Sequence, residues 1–321
     1  MTTFLPNLFT GLAIGSIYAL FALGYTLIFS VLRIINFAHG AMFTAGSYLT
    51  YMLMGKTFGG GNYPFAQKKL PIGMPFWVAL IGGALLAGAA NVLIERFAFR
   101  PLRERNSDTL LTLVSSLGIS IMIATLIQNL VGADPLPSQE PIAWVRDTPS
   151  VKVFGVVVGT ARICIFIVAV VVMSGLWYLL NRTKTGKALK AVSEDRTTAN
   201  LLGISTDKLI VFTFFLCGGI ASIAGAMVST FAGTAGPYFG ANFGLIGLAV
   251  IIMGGLGDIP GAVLAGFLIG VLQAAIPGWK VPLINWTIGN DWKDAIPFFF
   301  LFLVLMVRPN GLLGRAEITK V

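Results

Sequence analysis

The sequence predicts an all-α, polytopic integral membrane protein, and three observations carry that prediction. Of 321 residues, 56% are hydrophobic and 11% are charged. Soluble domains carry about 25% charged residues, so too few remain here to cover a surface facing water. The mean hydropathy is +0.86. Apolar runs also recur along the chain at close to the length of about 20 residues that a spanning helix needs. Length alone would admit two or three soluble domains. The hydropathy overrides it and predicts one transmembrane domain over residues 1–321.

In order, the apolar runs cover 5–29, 40–55, 72–94, 109–131, 161–180, 209–231, 243–253, 262–277 and 295–307. They predict about nine transmembrane segments, within a range of about 8–10. The second, seventh, eighth and ninth are short for a full span. Short, glycine-interrupted segments are stable at membrane depth only when buried in protein or lining a cavity, so these are expected to be broken or re-entrant. Residues 1–7 hold no Lys or Arg, whereas a cleaved leader needs a basic start; the first run is expected to be retained as a helix.

The loops between runs set the orientation. Alternate loops divide the 22 basic residues into 14 and 8. The larger set includes Arg33, the cluster from Arg96 to Arg105, the run from Arg182 to Lys208, and the C-terminal Arg308, Arg315 and Lys320. Basic loops face the cytoplasm, which puts the N-terminus outside and the C-terminus inside. Five of six Trp (Trp77, Trp144, Trp279, Trp286 and Trp292) then fall on or near the outer side. Because the basic residues lie between spans, the net charge of +9 is read as membrane orientation and not as nucleic-acid binding. Cys164 and Cys217 each lie within an apolar run without metal-ligand spacing, as buried small hydrophobes do.

Several chemistries are excluded. Proton-coupled carriers place ionisable groups at mid-membrane. Here Glu95, Asp258 and Asp294 lie at segment edges, and the runs contain only amides such as Asn91, Gln128, Asn129 and Gln273. No nucleophile–base pair or metal cluster is visible, so neither an enzyme nor a cofactor or metal site is expected. His39 is the only histidine. It is either a polar group beside a pathway or a histidine satisfying backbone groups at a turn. A nucleotide loop requires Gly-x-x-x-x-Gly-Lys-Ser/Thr. Gly55-Lys56-Thr57 has Thr50 in place of the first glycine, and Gly186-Lys187 has Asn181 and Ala188 at required positions.

A weak internal likeness links the stretch from Gly40 with that from Gly261; each opens a short glycine-studded helix after a turn. It is either a repeat around a central pathway or the small-residue habit of packed membrane helices. The basic loop 182–208 carries Leu189, Val192, Ala199 and Leu202 at helical spacings, with Asp195 as an N-cap and Gly203 as a C-terminal stop. It predicts two small helices with a bend near 193–195. Such an amphipathic piece either lies on lipid or fits a partner's groove.

Four stretches carry a family resemblance. They are Gly15-Ser-Ile-Tyr-Ala-Leu-Phe-Ala-Leu-Gly with Ile35-Asn-Phe-Ala-His-Gly; Leu189-Lys-Ala-Val-Ser-Glu-Asp with Leu202-Gly-Ile; Gly254-Gly-Leu-Gly-Asp-Ile-Pro-Gly-Ala; and Val307-Arg-Pro-Asn-Gly-Leu-Leu-Gly. In this order they resemble permease subunits of branched-chain amino acid ABC transporters, the shorter of the two paired permeases in particular. The resemblance implies a multi-pass permease of the bacterial inner membrane, importing branched-chain or similar amino acids by alternating access. It implies a second permease subunit, two cytoplasmic ATPase subunits and a periplasmic or lipid-anchored solute-binding protein as partners. It assigns 182–208 as a cytoplasmic coupling loop, with Ala191, Glu194, Asp195, Ala199, Leu202 and Gly203 at the ATPase. Asn36, His39, Gly254, Gly255 and Asp258 are pathway or gate positions on this view, or else packed helix breaks. The charges Asp134, Glu140, Arg146 and Asp147 of the long outer loop would help dock the binding protein. The competing reading is a self-sufficient channel or facilitator for a small polar solute such as urea.

Overall fold

The computed structural model describes residues 4–58, 63–65, 73–105, 107–136, 145, 150–153, 156–232, 235–277, 280–281, 286–287 and 289–314. Each of the nine apolar runs forms a helix. The chain order opens with α1 (Phe4–Leu32), α2 (Ala38–Leu53) and α3 (Phe76–Ile94). A π-helical turn (Glu95–Phe99) joins α3 to the short α4 (Arg100–Glu104), and α5 (Thr109–Val131) follows. Next come α6 (Thr160–Arg182), α7 (Lys184–Glu194), α8 (Arg196–Leu201) and α9 (Thr206–Ala232). The chain closes with α10 (Phe239–Gly254), α11 (Ile259–Ala275) and α12 (Ile296–Val307). Among the described residues, five helices are long and apolar enough to cross a membrane, from Leu5–Leu32 to Thr206–Ser229. The four runs read as short are indeed the short helices α2, α10, α11 and α12.

α1 is the axis of the molecule. It is apolar on all sides, and a helix of that kind has no face to turn toward water. Its best spanning window is 83% buried, against 17% for α5 and 28% for α6. α11 lies along it at close range. A Cβ added to Gly15 would stand 2.8 Å from Phe267 Cα, and one added to Gly266 would stand 2.6 Å from Ala19 N. Membrane helices approach this closely only through small residues, because packing and not water exclusion holds them. α9 packs against α2 and α3, where Asn91 Nδ2 donates to Phe214 O at 2.7 Å. Cys164 and Cys217 are both buried, as read from sequence, and both are free.

Small β elements, not anticipated from sequence, accompany the helices. Ser150–Val153 (β1) pairs antiparallel with Val156–Gly159 (β2), in register Ser150↔Gly159 to Val153↔Val156. Lys280–Val281 (β3) pairs with Trp286–Thr287 (β4). The valine-rich stretch Val156-Val-Val-Gly159 has the β-branched composition that pleated pairing favours. The π turn has a local cause as well. Pro101 offers no N–H to the carbonyl of Phe97, and the backbone loosens just before it, Arg100 N donating to Glu95 O.

Candidate coupling surface and helix breaks

The segment α7–α8 is built by its caps. Thr183 Oγ1 accepts from Gly186 N at 3.1 Å and starts α7. Asp195 lies between the two helices, as the bend predicts, and its Oδ1 accepts from Thr197 N at 2.7 Å and Thr198 N at 3.1 Å. The bond from Thr198, then that from Thr197, holds its carboxyl below the usual carboxylate range. α8 ends in a Schellman motif: Gly203 has φ +80°, Ile204 N donates to Ala199 O and Gly203 N to Asn200 O.

The apolar side read from sequence divides in two. Leu189, Val192 and Ala199 are buried in this chain's own bundle. Leu202 projects, 74% exposed, and Leu201 beside it is 84% exposed. Ala191 is half-buried, while Glu194, Asp195 and Gly203 are exposed. Asp195 supplies the cap; Glu194 stands free of that role.

Arg196, the first residue of α8, was not singled out by the sequence. Its Nε and Nη2 donate to Val31 O, at 3.1 and 2.6 Å, in the last turn of α1. Carbonyls there lack intrahelical partners and carry the negative end of the helix dipole. Burial pulls the guanidinium below its ordinary pKa, and nearby Arg103 adds to that. Arg103 itself bridges Glu95 Oε1 and Asp207 Oδ1, each at 3.0 Å. It thereby joins the π turn after α3 to the first turn of α9.

The pathway candidates fall at two helix breaks, and α1 runs past both. At the first, Asn36 Oδ1 accepts from Ala38 N at 3.0 Å and starts α2, while Phe37 N donates to Ser116 Oγ. His39 is fully buried; its Nε2 meets Phe21 O at 3.2 Å and its ring packs on Phe21 and Tyr25. Gly24 leaves the room for that ring. Among the described residues, Asn36 Nδ2 and His39 Nδ1 are buried without partners. At the second break, Asp258 Oδ1 accepts from Gly261 N at 2.7 Å and caps α11. Gly254 lies against Gly261, and Gly255 has φ +115°. The chain ending returns here: Leu312 N donates to Met253 O and Leu313 N to Gly254 O, closing the end of α10. Two of the sequence stretches quoted for the resemblance are thus one packed unit. At the opposite end, Asp134 is exposed in the bend after α5. Glu140, Arg146 and Asp147 lie outside the described residues.

A family model described as the branched-chain amino acid transport system permease component matches residues 7–305. The chain belongs to this family. The high-affinity branched-chain amino acid transport system permease protein LivH of Salmonella typhimurium is 34% identical over 320 residues, 99% of this chain and 98% of LivH. LivH of Escherichia coli K12 is 33% identical over the same shares. BraD of Pseudomonas aeruginosa, named in the same terms, is 34% identical over 99% of this chain and 98% of BraD. The match supports the permease reading over the self-sufficient channel. The family member described here is a multi-pass membrane protein.

Proposed function

We propose that this chain is one translocation subunit of an ATP-driven importer carrying branched-chain or similar amino acids inward across a bacterial inner membrane. Its family and the names of its relatives support the substrate class. The observation that carries the mechanism is the α7–α8 turn: capped at three points, tied to α1 through Arg196, and projecting Leu201 and Leu202 away from the bundle. Exposed leucines at the end of a segment that also exposes Glu194 and Asp195 suit a protein groove. The sequence holds no nucleotide loop, so ATP binding and hydrolysis fall to two partner ATPase subunits at this surface. A second permease completes the path, and a periplasmic or lipid-anchored binding protein delivers the substrate.

Within this reading the coupling end faces the cytoplasm and the N-terminus faces out. The coupling set is Ala191, Glu194, Asp195, Ala199, Leu202 and Gly203, with Ala199 acting through its inward packing. The breaks at Asn36–His39 and Gly254–Asp258 are gate positions. Unpartnered buried polar atoms at the first, and two positive-φ glycines at the second, Gly255 and Gly257, support that choice. The outer loop with Asp134, Glu140, Arg146 and Asp147 receives the binding protein.

The test is Leu202→Asp in the assembled complex in nanodiscs. We expect normal insertion and pairing with the second permease, but loss of ATPase co-purification and of substrate-stimulated hydrolysis. Wild-type ATPase retention with full stimulation would remove α8 from the coupling surface.

A further inference from the structure

A cleft of about 1010 Å³ opens between α1, α6, α7 and α11. Its lining changes from apolar to polar in the same direction on three helices. On α1 Leu27 gives way to Ser30, on α6 Met173 to Asn181, and on α11 Val263 to Asp258. Apart from Ser174, the polar lining gathers where α7 closes the cleft with Lys190 and Ser193. Lys190 Nζ donates to Asn181 Oδ1 at 2.8 Å, and among the described residues it has no carboxylate in ion-pair range. Asp258, the carboxylate in the lining, has Oδ1 engaged by Gly261 N. Arg182, Lys184 and Lys187 are exposed on the same stretch of chain. The cleft borders α6, an apolar helix whose spanning stretch is only 28% buried within this chain.

We propose that this cleft holds an anionic phospholipid, with acyl chains along α1, α6 and α11 and phosphate at Lys190. The gradient matches an amphiphile lying parallel to the helices. The uncompensated Lys190 and its basic neighbours favour an anionic head over a zwitterionic one. An apolar surface of a second permease would fill the walls but leave the ammonium of Lys190 unmatched. Because α7 roofs the cleft, the lipid supports the coupling segment from the membrane side. That consequence rests on the function proposed above; the binding does not.

The test is native mass spectrometry of the whole complex with phosphatidylglycerol or phosphatidylcholine added. We expect phosphatidylglycerol to be retained in preference. Lys190→Gln, an exposed change, should lower that retention about fivefold, as loss of one basic contact at an anionic surface does. Leu264→Trp should fill the cleft and lower retention of both lipids; an unchanged melting temperature would certify folding, and Lys190→Gln decides if it fails. Leu202→Asp should leave lipid retention intact, which separates this site from ATPase docking. Equal retention of the two lipids, or unaltered retention in Lys190→Gln, would overturn the proposal. So would a photocrosslinker at position 264, 54% exposed here, that captures the second permease instead of lipid.

Discussion

Arg196 joins two parts of the chain that lie 165 residues apart in sequence. It sits one residue beyond the bend between α7 and α8 and reaches the end of α1, the most buried of the spanning helices, just before the break at Asn36–His39. A hydrogen bond from a charged group contributes about 1.5–3 kcal/mol. Arg196→Ala should therefore leave the fold and ATPase binding intact while lowering the amino acid moved per ATP hydrolysed. Arg196→Lys, which keeps a donor, should restore part of that ratio; an unchanged ratio in Arg196→Ala would mean the contact transmits nothing. Gly203 is a second case. At φ +80° a Cβ would meet no neighbour within 4 Å, so backbone strain alone penalises a side chain there. Gly203→Val should cost roughly 1–3 kcal/mol of local stability, whereas Gly203→Asn should be nearly neutral because asparagine tolerates αL. Comparing stimulated ATPase activity of the two variants checks this. Asp195 fixes the pH sign. Its folded pKa is depressed, so its stabilisation of α8 is present above about pH 4 and lost as pH falls through the lower folded value. Uptake between pH 5 and 8 should not follow its titration. The caps were legible because Asp195 and Gly203 act through local backbone rules. Arg196 was not, since its partner is a carbonyl at the far end of another element.

At the scale of elements, hydropathy located the nine apolar helices because each run is apolar for its whole length, whereas α7 and α8 were read from helical spacing in a basic loop and the short α4 was not read at all. The ends were less legible. α10 begins at Phe239, four residues before its run, since Tyr238 and the turn preceding it are also held in the bundle. The hairpin β1–β2 was hidden because its strands are four residues each and one abuts the apolar start of α6. Which face of a helix is buried was also beyond the pattern, as helices apolar all round show no preferred side. Glycines recover that information. Gly15 lies hard against α11, while a Cβ at Gly175 on α6 would meet nothing within 4 Å. Gly15→Leu should separate α1 from α11 and abolish monodisperse protein after detergent extraction, since overpacking costs about 1–3 kcal/mol even where neighbours can shift. Gly175→Leu should extract at wild-type yield and transport normally. Equal yields from the two would mean that the α1–α11 crossing does not hold the fold.

For the whole molecule, the arrangement of charge and the position of α7–α8 bear on the proposed orientation. Arg103, Arg196 and Asp207 meet at the end where α1 finishes, α9 begins and α7 and α8 lie. Asp134 lies at the other end, where Leu136 N donates to Ala235 O beyond the last turn of α9. The two ends therefore sort by fold in the same way that the basic residues sort by loop. If an ATPase docks on α7–α8 as proposed, that end must face the cytoplasm, the side on which basic loops are retained during insertion; the proposed docking and the proposed orientation require the same end. Single cysteines should report this in intact cells, against a background in which the buried Cys164 and Cys217 are silent to a membrane-impermeant maleimide. Cysteine at 134 or 144 should label from outside. Cysteine at 184 or 190 should label only after the membrane is opened, and both of those positions are exposed on α7. Position 103 is a weaker reporter, because the Arg103 side chain is only 20% exposed and engaged by Glu95 and Asp207. Labelling of 184 and 190 from outside, with 134 and 144 protected, would invert the molecule. It would also remove the ATPase from α7–α8, since no cytoplasmic subunit could then touch Leu201 or Leu202.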